Sequence, residues 1–198
     1  MRKPHYLDPL GSRLPALERN LIRLRSMQMV LVLFYAEQVK QTVLNLVQTT
    51  DRFRVMSGRG VDRVPKNAKD QVKKCLKALV EDGLLSVDES EEIRHLIDYR
   101  NMVGHEIHEL VADISTERAV RDRFDFAVTD GRAYNYEAVE RLRHYLGLLH
   151  ERQDSYHYVG ALCMDSLMFT SAERTLLADI KKAAQQDPQT RKEAQRRY

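Results

Sequence analysis

The segment Asp98-Tyr99-Arg100-Asn101-Met102-Val103-Gly104-His105 sits inside a pattern running from Glu89 to Asp113 that has the spacing of one buried helix face. Ile93, Leu96, Ile97, Val103, Ile107, Leu110 and Val111 recur by threes and fours, as an amphipathic helix requires. At about 100° per residue, Arg100 falls in the middle of that apolar stripe. A guanidinium there is costly unless it faces a partner, an anion or a wet cleft. His105 follows five residues later, about 140° round and about 7.5 Å along a continuous helix. Gly104 costs the helix roughly 1 kcal/mol relative to alanine and is a place where it could bend or break.

The 198 residues are enough for a proper core, read as a single domain over 12–186 with tails at 1–11 and 187–198. Hydrophobic residues make up 43% and charged residues 31%, with only 8 Gly and 5 Pro, which favours helices over the turn-rich sandwiches and barrels. A net charge of +3 does not announce a nucleic-acid binder, so any basic surface has to be local. Cys75 and Cys163 both lie in apolar helical patterns and read as buried, reduced thiols. Met1 to Gly11 has no apolar h-region, and the greasy run Met27 to Ala36 is too short to span a bilayer. A cytoplasmic protein without a membrane anchor is expected.

Pro15 suits a first helical turn, and a long helix is expected from there to about Thr50. Its middle, Met27 to Ala36, is apolar nearly all round, so it is either central in its domain or shared with a second subunit. Between Asp51 and Asn67, Arg52, Arg54, Arg59, Arg63 and Lys66 alternate with Gly58, Gly60 and Pro65. This segment is either a solvated connection or a basic loop that grips phosphate. A second helix places Ala68, Val72, Leu76, Leu79 and Val80 inward and stops at Gly83. The next one opens on Asp88, Glu89, Glu91 and Glu92, which suit the positive end of a helix dipole. Further helices are expected over 115–128, after an Asn135 cap, and after the box Thr170-Ser171-Ala172-Glu173. The fold class is all-helical, a bundle of about five to seven helices.

An arginine in apolar surroundings with a histidine nearby suits metal-free RNA cleavage. That reaction needs a base near neutral pH for the ribose 2′-hydroxyl and fixed positive charge on the phosphate. Asn101 is placed to orient either group, and DNA lacks the attacking hydroxyl. The run Leu79-Val80-Glu81-Asp82-Gly83-Leu84-Leu85, the acidic helix start, then Asp98-Tyr99-Arg100-Asn101 and His105 together resemble the HEPN (higher eukaryotes and prokaryotes nucleotide-binding) family. Its signature is an Arg, usually a polar residue, and a His four to six positions after the Arg. The likeness covers the helix pattern from Arg13 to Gly147, with specific matches only between Leu79 and His105.

The resemblance implies an antiparallel helical bundle that forms a homodimer and a metal-independent ribonuclease, often a toxin or phage-defence effector held by a protein partner. It implies a composite site in which Arg100 neutralises the scissile phosphate, Asn101 positions and His105 is the general base. No metal and no cofactor is expected. One subgroup carries, two residues after the His, a Tyr that a nucleotidyltransferase antitoxin modifies; Ile107 stands there, so that form of neutralisation is not expected.

Three rival readings use the same residues. A catalytically silent HEPN dimer would keep the fold as a scaffold or regulator. The run Lys73 to Leu85 resembles the end of a winged-helix DNA reader, but an acidic helix start follows where a β-wing belongs. His105-Glu106-Ile107-His108 misses the zinc-protease spacing by one residue, and Glu92-Ile93-Arg94-His95 is only half of a di-iron pair.

Overall fold

The computed structural model describes residues 16–105, 135, 137–159, 171, 173–179 and 182. The described residues are all-helical, without a strand. The main helices are α1 (Ala16–Met56), α2 (Gln71–Glu81), α3 (Val87–His105) and α4 (Ala138–Ser155), with a further helical stretch at 173–179. The chain divides into two compact units, one of Leu31–His105 and Glu137–Ser171, the other of Met1–Val30, Glu106–Tyr136 and Ala172–Tyr198. Of the second unit, the first turns of α1 and 173–179 are the main described parts. The helix expected over 115–128 lies outside the described residues, as do Ile107, Leu110, Val111 and Cys163. No helix among the described residues is long and apolar enough to cross a membrane.

The first unit is built on the stripe of α1. Leu31, Val32, Tyr35, Ala36, Val39, Val43, Leu46 and Val47 are all buried, spaced so that every turn adds to one face. Of the greasy middle of the helix, Met29, Leu31, Val32, Tyr35 and Ala36 are buried and Val30 is exposed. Also buried are Cys75, Leu76 and Leu79 of α2, Ile93, Leu96, Ile97 and Val103 of α3, and Leu142, Tyr145 and Leu149 of α4. Each fully buried Leu or Ile contributes about 1.5–3 kcal/mol, so this shared interior outweighs any single polar contact. Cys75 is free and inaccessible; burial first, then the Asp51 charge, push its thiol up to about 11.

Two glycines end two helices by the same device. Gly83 takes φ +78°, its N–H donates to the Val80 carbonyl at 3.0 Å, and the Leu84 N–H donates to Leu79 at 2.9 Å. Those paired bonds are a Schellman cap, which needs a left-handed residue and so favours glycine. Gly58 repeats it at φ +66°, with Gly58 N–H to Val55 at 3.0 Å and Arg59 N–H to Arg54 at 2.9 Å. The first helix therefore runs to Met56 rather than Thr50, and Arg52 and Arg54 stand on a helix rather than in a loop.

The entry to α3 is a capping box absent from the sequence expectation. The Ser86 N–H donates to Glu89 Oε2 at 2.8 Å and the Glu89 N–H donates to Ser86 Oγ at 3.1 Å. Residue 137, not Asn135, is the cap position of α4, and it supplies no side-chain cap. What fixes α4 is tertiary: it packs on α3, and α3 packs also on α2. Arg152 donates to Glu89 at 2.9 and 3.1 Å and to the Leu84 carbonyl at 2.9 Å, while Arg141 pairs with Glu92.

These pairings set an acid limit. The hydrogen bond from Arg152 comes first in holding the Glu89 carboxyl below its ordinary 4.5, and that from Arg141 does the same for Glu92. Carboxyls depressed in the folded chain contribute stability that is complete above their unfolded pKa and lost as pH falls through the folded one. The melting temperature should hold steady from neutral pH down to about 5 and fall below it. The gap between wild type and Glu89→Gln, measured by thermal melts across pH, should narrow as the medium turns acid. A gap constant down to pH 3 would exclude this account.

Candidate functional site

The first turn of α2 and the facing sides of α1 and α3 enclose a cleft of about 510 Å³. On α1 the helical spacing brings Glu37, Lys40 and Leu44 to it; on α3 it brings Arg94, Ile97, Asp98 and Asn101, which share a face at i, i+3, i+4 and i+7. Asp70, Gln71 and Lys73 line it from the start of α2. Asp70 itself is a non-glycine residue at φ +54° and gives α2 no side-chain cap.

Arg100 also lines this cleft, with its side chain 37% exposed. Its backbone sits on the stripe between buried Ile97 and Val103, and the guanidinium leaves that stripe for water, as long cationic side chains do. Nη1 donates to Asn101 Oδ1 at 3.0 Å, and Nη2 lies 3.4 Å from Glu37 Oε2. Nε is buried and makes no hydrogen bond within the protein. The end of the fork that reaches the cleft is therefore Nη1 and Nη2, and an anion bound there would share them with Asn101 and Glu37.

Glu37 is the shared anion of the cleft. Lys40 Nζ stands 3.3 Å from it and Gln41 donates to it at 2.9 Å. Burial pushes its carboxyl up, but the hydrogen bonds from Gln41 and Lys40 and the charges of Lys40 and Arg100 together bring it below the ordinary value.

The structure brings Arg100 and Asn101 together and leaves His105 elsewhere. α3 is helical through Gly104, with no break there, and a Cβ on Gly104 would meet Leu33 Cδ2 at 3.8 Å, an ordinary contact. His105 is the last residue of α3, exposed, and not among those lining the cleft. On a continuous helix it points about 140° away from Arg100.

The five basic residues between Asp51 and Asn67 part company in the same way. Arg63 closes its fork on carboxylates: Nε and Nη2 donate to Asp51 at 3.1 and 2.9 Å, and Nη1 donates to Asp82 at 3.0 Å. The Asp51 hydrogen bonds come first in raising the pKa of its guanidinium further. Arg54 leans on the same cluster, 3.9 Å from Asp82 and 6.0 Å from the Tyr158 ring centre. Arg52, Arg59 and Lys66 are exposed. Arg63 is a structural cation and Arg54 is half committed.

Lys40, Lys73, Arg94 and Glu37 lie at the cleft and were not singled out by sequence reasoning. Their signal was present only as register: Arg94 precedes Asn101 by two helical turns. Among the described residues no group of three His, Cys, Asp or Glu side chains is placed to hold a metal. His108 of the zinc-like near miss lies outside them.

No family model, curated protein or solved structure matches this chain.

Proposed function

We propose that the protein is a metal-independent endoribonuclease of HEPN type whose active site is completed by a second copy of the chain. The observation that carries this is Arg100: a guanidinium rooted on an apolar stripe, hydrogen-bonded to Asn101 and lining a polar cleft. A phosphodiester is the anion whose shape and charge suit such a fork.

His105 on the same chain lies outside that cleft, which supports a site shared between two copies. In a symmetric dimer the His105 of the other copy takes the proton of the ribose 2′-hydroxyl. The 2′-oxygen then bonds to phosphorus and the bond to the 5′-oxygen breaks as that oxygen gains a proton. The products are a 2′,3′-cyclic phosphate and a 5′-hydroxyl end. Arg100 neutralises the charge gathered in the transition state, and Asn101 holds the Arg100 fork in place. A toxin or defence role in the cytoplasm, restrained by a protein partner, belongs to the same proposal.

Purified protein in EDTA should cut single-stranded RNA and leave cyclic phosphate ends. Arg100→Ala should lower kcat by about 10²–10³, and His105→Ala by about 10²–10⁴. Cleavage unchanged in either variant would overturn the mechanism. One observation favours a second reading, a catalytically silent scaffold of the same fold: the cleft that gathers Arg100 and Asn101 does not include His105. Intact RNA at high enzyme concentration would decide for it.

A further inference from the structure

We propose that the cleft holds a second phosphate of the substrate on Lys73 and Arg94, so that its ligand is a single-stranded oligoribonucleotide rather than one isolated phosphate. This rests on reading Arg100 as the site of the first phosphate. Arg94 precedes Arg100 by six residues, about 9 Å along α3, a separation wider than one phosphate group. Both nevertheless line one cleft, and Lys73 enters it from α2. A single anion bound at Arg100 leaves the other two cations in water; a polyphosphate backbone engages all of them.

The other charges divide accordingly. Glu37 is engaged by Lys40 and Arg100. Asp70 and Asp98 are the remaining carboxylates of the lining, set against Lys73 and Arg94. Among the described residues no ion pair ties either of those two cations, and both are exposed. Side chains of this kind lose little when they turn to a passing phosphate. The lining also includes the apolar side chains of Ala36, Leu44, Val72 and Ile97. An unpaired base has a flat apolar face to lay on such a floor, whereas a duplex keeps its bases stacked inside.

The test uses the full-length protein, a short 2′-O-methyl oligoribonucleotide that lacks the reacting hydroxyl, and inorganic phosphate as competitor. The double variant Lys73→Ala/Arg94→Ala should bind the oligonucleotide about tenfold more weakly at low salt, two exposed contacts being lost. Its plot of log affinity against log salt should be shallower by about 0.7, one phosphate contact of a single strand being lost. Inorganic phosphate should displace the oligonucleotide only at high concentration from wild type, and more readily from the variant. Equal affinity and equal slope in both proteins would overturn the proposal. So would inorganic phosphate binding as tightly as the oligonucleotide, or no oligonucleotide binding at all. Tight, salt-dependent binding of the probe without cleavage of ordinary RNA would instead sink the nuclease and leave the two-phosphate cleft standing. Normal cleavage with an unchanged slope would do the reverse.

Discussion

Mixing Arg100→Ala protein with His105→Ala protein should restore RNA cleavage that neither preparation shows alone. The reason is geometric. α3 is continuous from Val87 to His105, so the two side chains of one copy leave the helix about 140° apart. If Arg100 of one subunit works with His105 of the other, a mixed dimer keeps one site with both native groups and one with neither. After full exchange half of the dimers are mixed, so about a quarter of wild-type activity should return. A site complete within one subunit gives nothing on mixing, because each copy then carries its own lesion. Exchange is checked by co-purification through a tag on one variant. Cleavage no higher than that of the separate variants, with exchange demonstrated, would dispose of the shared site.

The largest loss of stability should come from Asp51→Ala. The Asp51 side chain is 1% exposed, and its oxygens accept from the Arg63 backbone N–H at 3.1 Å as well as from the guanidinium. Asp82 holds the other side of the fork and in turn accepts from the Tyr158 hydroxyl. Burial pushes the Asp82 carboxyl up, but Tyr158 and Arg63 outweigh it and bring it below its ordinary 3.8. Taking away Asp51 leaves a half-buried guanidinium short of one carboxylate and an unfilled space at the end of α1. The loss should be roughly 3 kcal/mol, discounted for the partial exposure of Arg63. That corresponds to about 6–12 °C in a melt followed by circular dichroism. Asp62→Ala, at an exposed carboxylate in the same segment, should stay within about 0.5 kcal/mol of wild type. Equal melting of the two variants would show that the Arg63 cluster does not hold this end of the molecule.

Much of the helical layout was legible because it is written locally. Apolar spacing marked α1, α2 and α3, and Gly83 marked the stop of α2, since a left-handed cap favours that residue. The stripe through Ile97 and Val103 likewise foretold that Arg100 would need a cleft or an anion, and it has both. The end of α1 was misplaced because Asp51, Arg52 and Arg54 look like solvated loop residues in isolation. They stay helical because Asp51 and Arg54 have partners at Arg63, Asp82 and Tyr158, which only folding brings near. The Asn135 cap failed for a related reason: α4 is fixed by Arg141 and Arg152 reaching α3, not by a side-chain cap at its entry. At the site, the residues added by the fold, Lys40, Lys73 and Arg94, come from three helices, and no local pattern links them.

The far side of the first unit is closed by donors that come late in the chain. Arg152 reaches the Leu84 carbonyl across 68 residues, Tyr158 reaches Asp82 across 76, and the Val159 N–H reaches the Thr50 hydroxyl across 109. During synthesis the acceptors therefore leave the ribosome well ahead of the groups that satisfy them. At bacterial-to-eukaryotic elongation speeds the delay between Thr50 and Val159 is roughly 5–20 s. For that interval water, or a chaperone, must stand in for the missing strap, and Asp82 has Arg63 and Arg54 without Tyr158.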